Sequence, residues 1–145
     1  MNLLDANILL YAYNRTAAQH ERARRWLEDA LAGSAPVAFC WPTILAFMRI
    51  ATSPRAVSRP LSIEAARDIV GSWLAVPVAT LLLPTERHWD ILARLLVTGQ
   101  ASGPLVSDAH LAALAIEHGA TLITNDRDFT RFAGLRVEYP LLAGS

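Results

Sequence analysis

Short apolar runs alternate along this chain with segments whose apolar residues recur at helical spacing. The first run, residues 1–4, breaks at Asp5-Ala6-Asn7, the pattern of a buried strand that turns at once into a helix over residues 7–13. A break over 14–19 precedes a helix over 20–32, with Ala23, Trp26, Leu27 and Leu31 on one face and Gly33 at its end. An apolar strand over 37–39 follows, then a helix that starts at Pro42 and runs to about Thr52, since proline suits a first helical turn. Beyond a polar, arginine-bearing loop over 55–61, Ser62 caps a helix over 63–74. Residues 76–83 read as a third strand, with Thr85 capping a helix over 86–97. A loop over 99–104 leads to a helix opened by Ser107 or Asp108 and ended by Gly119. A fourth strand over 121–124, a turn over 125–128, a short helix ending near Phe132 and a last strand over 135–137 complete the pattern. Strands alternating with helices predict an α/β fold: a central, mostly parallel sheet with helices on both faces.

The 145 residues suit one domain, spanning 1–145. No apolar run reaches the length of a membrane span, and the start lacks the basic and small-residue features of a signal peptide. Cys40 is the only cysteine and sits in an apolar run, which predicts a core position and a reducing, cytoplasmic setting.

In an open parallel sheet, ligands bind beyond the carboxyl ends of the strands. Asp5 falls at the end of the first predicted strand and Asp126 at the end of the fourth. Asp108 opens the helix whose first turn a parallel crossover brings to that same rim, with Asp128 beside Asp126. Each alone has a plain alternative as a helix cap or turn residue. Together they form a cluster of like charges that a fold tolerates most readily when a divalent cation neutralises it. All-oxygen ligation suits Mg²⁺ or Mn²⁺, and no Cys/His spacing supports zinc. The implied chemistry is phosphodiester hydrolysis, in which such an ion lowers the pKa of a water and a second ion, if recruited, stabilises the departing oxygen. Of the four histidines, His88 and His118 read as surface or interface positions, and His110 is only noted as close to Asp108.

The net charge is zero, but its distribution is not even. Residues 15–67 carry eight arginines against four acids, and residues 86–138 carry seven acids against five arginines. The first half suits a phosphate backbone, while the second concentrates carboxylates. Tyr11, Tyr13, Trp26 and Trp41 could stack on bases, though core or dimer contacts are favoured, and Trp73 and Trp89 read as packing residues. Arg22, Arg24 and Arg25 share a helix and either track phosphate, form a solvated face or meet an acidic protein partner.

The four segments 4–9 (Leu-Asp-Ala-Asn-Ile-Leu), 41–52, 107–115 (Ser-Asp-Ala-His-Leu-Ala-Ala-Leu-Ala) and 122–129 (Leu-Ile-Thr-Asn-Asp-Arg-Asp-Phe) occur in an order and spacing that resemble a PIN-domain ribonuclease, in particular the toxin of a VapBC-type toxin–antitoxin pair. The resemblance implies a metal-dependent endoribonuclease, with Asp5, Asp108 and Asp126 as catalytic metal ligands and Asp128 as an occasional further one. It also implies that Asn7 and Thr124 orient the cluster, and that the protein pairs with a cognate antitoxin and forms a homodimer. The family's usual glutamate, three residues before an arginine matching Arg49, is here Ala46. Arg49 is expected at RNA or antitoxin, with an ion-pair or solvated role equally open. The non-enzymatic alternative is a catalytically weak or inactive protein that only binds RNA or antitoxin. A haloacid-dehalogenase-like phosphatase fits poorly, because Asn7 stands where its second aspartate belongs and the chain has no lysine. A dinucleotide-binding fold lacks its glycine fingerprint after the first strand.

Overall fold

The computed structural model describes residues 1–142. Five strands form one sheet: β1 (Asn2–Leu4), β2 (Val37–Phe39), β3 (Ala79–Leu81), β4 (Thr121–Ile123) and β5 (Arg136–Glu138). Their order is β3-β2-β1-β4-β5, and every neighbouring pair is parallel. Six α-helices connect them: α1 (Ala6–Tyr13), α2 (His20–Ala32), α3 (Trp41–Ala51), α4 (Ile63–Ala75), α5 (His88–Thr98) and α6 (Leu105–Glu117). A 3₁₀ helix, Arg127–Arg131, lies between β4 and β5. None of these helices is long and apolar enough to cross a membrane.

The two-residue period of the strands splits the interior into two cores. Leu3, Ala38 and Leu122 face one side, against Leu95 of α5 and Leu111 and Leu114 of α6. Leu4, Val37, Phe39 and Ile123 face the other, against Ile8, Leu27, Phe47 and Trp73 from α1 to α4. Strands that bury both faces need continuous apolar runs, which is why these segments show no polar alternation. Local signals set several boundaries as expected. The Ser62 hydroxyl accepts from the Ala65 amide at 3.1 Å, and Gly119 takes the left-handed conformation, φ +66°, just beyond the end of α6.

Other boundaries differ from the sequence reading. The third strand is Ala79–Leu81, shorter than the apolar run over 76–83, because Val76 closes α4 and a turn through Pro77 follows it. Thr85 does not cap a helix at 86; its hydroxyl accepts from the Arg87 amide, and α5 begins at His88. Helix α6 starts at Leu105, so Asp108 lies within its first turn and does not open it. Trp89 is 67% exposed and is not a core residue, whereas Trp73 is fully packed.

His88 is not a surface residue. It is buried and its Nδ1 lies 2.8 Å from Glu117 Oε1, while its Nε2 lies 3.0 Å from His110 Nδ1. The other Glu117 oxygen accepts from both the amide and the hydroxyl of Thr85. This buried polar chain fastens the start of α5 to the end of α6. Burial alone would raise the Glu117 pKa, but the bonds from Thr85 and His88 and the His88 charge outweigh it and hold the carboxyl below its usual value. The stability it adds is therefore present above the ordinary glutamate range and is lost as pH falls through the lowered pKa. Glu117→Ala, which leaves His88 Nδ1 and the Thr85 amide and hydroxyl donors without their acceptor, is expected to cost about 1–3 kcal/mol in denaturant unfolding at pH 7, with a smaller cost at pH 3.

Candidate active site

The parallel ladder continues one residue past β1, where the Asp5 amide donates to the Ile123 carbonyl at 2.9 Å. One residue past β4, the Thr124 amide donates to the Glu138 carbonyl at 3.1 Å. Asp5 and Thr124 thus leave adjacent strands side by side, and Thr124 is completely buried. Its hydroxyl donates to Asp5 Oδ2 at 2.7 Å and accepts from Asn7 Nδ2 at 3.2 Å and from the Asp126 amide at 3.0 Å. One donor and two lone pairs are all that a hydroxyl has, so Thr124 is saturated. Asn7 completes the junction, donating to Asp5 Oδ2 at 3.3 Å and accepting from the Asn125 amide at 3.1 Å.

The capping reading and the site reading coincide in the same residues. Asp5 Oδ1 accepts from the Ala6 amide at 2.7 Å, capping α1, and Asp126 Oδ1 accepts from the Asp128 amide at 2.9 Å, starting the 3₁₀ helix. These bonds fix each carboxylate's direction. The 3₁₀ helix is tied in turn to the loop after α5, since Arg131 donates to the Asp128 carbonyl and to the Gly99 carbonyl.

Carboxylate oxygens of Asp108, Asp126 and Asp128 all lie within 4.8 Å of one another. Asp5 lies outside this trio, with both its oxygens engaged by Ala6, Asn7 and Thr124. It is nevertheless near enough for its charge to act on Asp108, whose pKa is pushed up to about 6 by burial first and then by Asp126, Asp5 and Asp128, with Arg131 opposing. Burial also raises Asp5, against the bonds from Thr124 and Ala6, and the Asp126 charge adds to the rise. Cys40 is buried, as expected of a core cysteine. Burial pushes its thiol up and the Asp5 charge adds to that, in keeping with the parallel pairing of β2 to β1.

A family model for the PIN domain matches residues 3–135. The chain belongs to the PIN-domain family. Ribonuclease VapC37 of Mycobacterium tuberculosis is 50% identical over 97% of this chain and 97% of that protein. Ribonuclease VapC33 of the same organism is 38% identical over 97% of this chain and 99% of its own length. Among solved structures, VapBC2 from Rickettsia felis bound to a DNA fragment from its promoter superimposes with a TM-score of 0.69 at 21% identity, covering 94% of this chain and 96% of that one. The fold of this PIN domain and its kinship with VapC ribonucleases agree with the reading of the four sequence segments.

The donors of the PIN domain suit a small divalent cation. Ligands at about 2.1 Å around an octahedral ion stand about 3 Å apart when adjacent and about 4 Å when opposite, so the trio needs only a slight contraction. Every donor is a carboxylate oxygen, which matches a hard ion better than the Cys/His donors typical of zinc. Ala46, half-buried on α3, adds no ligand, and Arg49 is exposed with no ion pair among the described residues. Arg24, by contrast, is paired to Glu21 and Glu28 on its own helix.

Sequence reading missed the Glu117–His88–His110 chain and the hold of Arg131, because their partners lie 22 to 32 residues apart on different elements. Only the apolar run before Glu117 hinted at burial.

Two outcomes follow. Asp108 is raised in the folded state, so the metal-free fold gains from its protonation and loses that gain as pH climbs from about 4 to about 6. Asp108→Asn is expected to remove this slope and to stabilise chelator-treated protein at pH 7 by about 1 kcal/mol, the shift being discounted because the group is partly solvated. Thr124→Val, which leaves Asp5 and the Asp126 amide without the hydroxyl, is expected to weaken metal affinity by about 10–100-fold in a Mn²⁺ titration.

Proposed function

We propose that this PIN domain is a Mg²⁺-dependent endoribonuclease, with Mn²⁺ able to substitute, and the toxin of a type II toxin–antitoxin pair. The observation that carries this reading is the convergence of Asp108, Asp126 and Asp128 within 4.8 Å, with Asp5 held beside them by Thr124. Its kinship with VapC ribonucleases over almost the whole chain supports RNA as the substrate and an antitoxin as the partner.

When bound, the cation supplies Lewis-acid polarisation of a phosphate oxygen and lowers the pKa of a water. The remaining work falls to the chain. Asp108, Asp126 and Asp128 would hold the ion, and Asp5, aimed by Thr124 and Asn7, would complete the negative cradle and orient the attacking water. Asp126 cannot swing away without breaking its carboxylate's bond from the Asp128 amide. Arg131, whose charge acts on Asp108, and Arg49, exposed on α3, would offset phosphate charge as RNA approaches. The toxin would work as a homodimer, for which the exposed Trp89 and Val97 of α5 offer apolar surface.

Loss of the family glutamate at Ala46 suggests a protein that only binds. The surviving trio and the ribonuclease relatives favour the enzyme. Antitoxin-free protein is expected to cut RNA with Mg²⁺ or Mn²⁺, to stop with chelator, and to be inactive as Asp5→Asn. Ala46→Glu, adding a carboxylate, is expected to lower the metal concentration needed for half-maximal cutting. Metal-independent cutting, or activity unchanged in Asp5→Asn, would refute the assignment.

A further inference from the structure

The 3₁₀ helix after β4 begins and ends in arginine, and the two are held in different ways. Arg131, its last residue, donates from Nε to the Asp128 carbonyl at 3.2 Å and from a terminal nitrogen to the Gly99 carbonyl at 3.0 Å. Those bonds commit it to the frame of the site. Arg127, its first residue, is exposed and forms no ion pair among the described residues. Its guanidinium lies instead over the ring of Tyr139, with Cζ 5.1 Å from the ring centroid. Carboxylates are at hand, since Asp126 and Asp128 flank Arg127 and Glu138 precedes Tyr139. Arg24 on α2, in similar company, pairs with Glu21 and Glu28. Arg127 does not, because Asp126 is engaged by the Asp128 amide and Asp128 belongs to the carboxylate trio.

The sheet sets the place of the ring. β5 runs parallel to β4 with Glu138 opposite Ile123, and the ladder continues from the Thr124 amide to the Glu138 carbonyl at 3.1 Å. Tyr139 is therefore the first residue beyond β5, beside the strand exit that leads through Thr124 to Asp126. Its hydroxyl is enclosed and has no hydrogen-bond partner, so what Tyr139 offers Arg127 is the ring face. A guanidinium held on an aromatic face keeps its N–H donors free, in the fork that matches the oxygens of a phosphate. A cation in the trio would answer the charge of the reacting linkage alone. The neighbouring linkages of a phosphodiester chain, each with its own negative charge, need a partner at this acidic rim.

We propose that Arg127, seated on Tyr139, binds a backbone phosphate flanking the linkage that is cut, and that Tyr139 is the positioning residue that holds it there. This rests on the nuclease reading of the same rim and adds the residues that grip the chain beside the reacting group. Arg127 acts through binding and takes no part in bond breaking. Its contact is with phosphate and carries no base preference.

The test uses the full chain carrying Asp5→Asn in Mg²⁺, so that RNA stays intact, and a short fluorescent oligouridylate titrated at several salt concentrations. Arg127→Ala is expected to weaken binding about tenfold and to lower the slope of log affinity against log salt by about 0.7, the share of one phosphate on a single strand. Arg127→Lys should keep the slope but lose part of the affinity, since an ammonium carries the charge without the fork. Tyr139→Phe should match the parent, whereas Tyr139→Leu should weaken binding severalfold. In an Arg127→Ala background Tyr139→Leu should cost nothing more, a result that a merely structural role would not give. With Asp5 in place, Arg127→Ala should raise KM for RNA cutting and leave kcat unchanged. Unchanged affinity and salt slope in Arg127→Ala would overturn the proposal while metal-dependent cutting left the nuclease standing. A fall in kcat without a rise in KM would also overturn it, moving Arg127 to the reacting phosphate. So would unaltered RNA binding with weakened antitoxin binding, which would give the pair to the protein partner. A protein that neither binds the oligouridylate nor cuts RNA would refute the nuclease reading and this proposal together.

Discussion

A single buried hydroxyl joins the two halves of this molecule's chemistry. Thr124 donates to Asp5 across the β1–β4 pairing and accepts from the Asp126 amide in the turn that follows its own strand. Asp5 and Asp126 repel, and burial raises the penalty for charging Asp5. A saturated hydroxyl at their junction lets the backbone and Thr124 hold them where a flexible arrangement would let them drift apart. The local geometry that caps α1 and starts the 3₁₀ helix is the same geometry that aims the carboxylates.

The fold makes such crowding tolerable. The central strands β1, β2 and β4, parallel and apolar on both faces, bind the sheet edge to two separate cores. The edge thus cannot relax by loosening one side alone. On the far side of α6, Glu117 anchors α5 through His88, which limits how far the helix bearing Asp108 can shift. What remains unbalanced is the charge of Asp108, Asp126 and Asp128, which together with burial raises the Asp108 pKa.

Much of this was legible in the sequence for physical reasons. Apolar runs ending in Asp5 and Asp126 mark strand exits, because a buried strand cannot carry a carboxylate inside it, and parallel topology then sends those exits to one edge. The short β3 was not legible, since the apolar run at its start was used to turn the chain out of α4. His88 was read as exposed because its partner Glu117 is 29 residues away and periodicity cannot show a buried ion pair between helices. Trp89 was read as a packing residue because composition says nothing about which side of a helix faces a neighbour. The separation of Asp5 from the compact trio depends on side-chain hydrogen bonds, which no spacing rule contains.

The most direct test of the central claim is a calorimetric titration of Mn²⁺ into the purified protein at pH 6 and pH 8, in buffers of different ionisation heat. A carboxylate cluster built for a cation predicts saturable binding at both pH values. About half a proton should be released at pH 6, where Asp108 is near its raised pKa, and almost none at pH 8, with the release lost in Asp108→Asn. No saturable binding, or binding whose proton release is the same at both pH values and in Asp108→Asn, would contradict it.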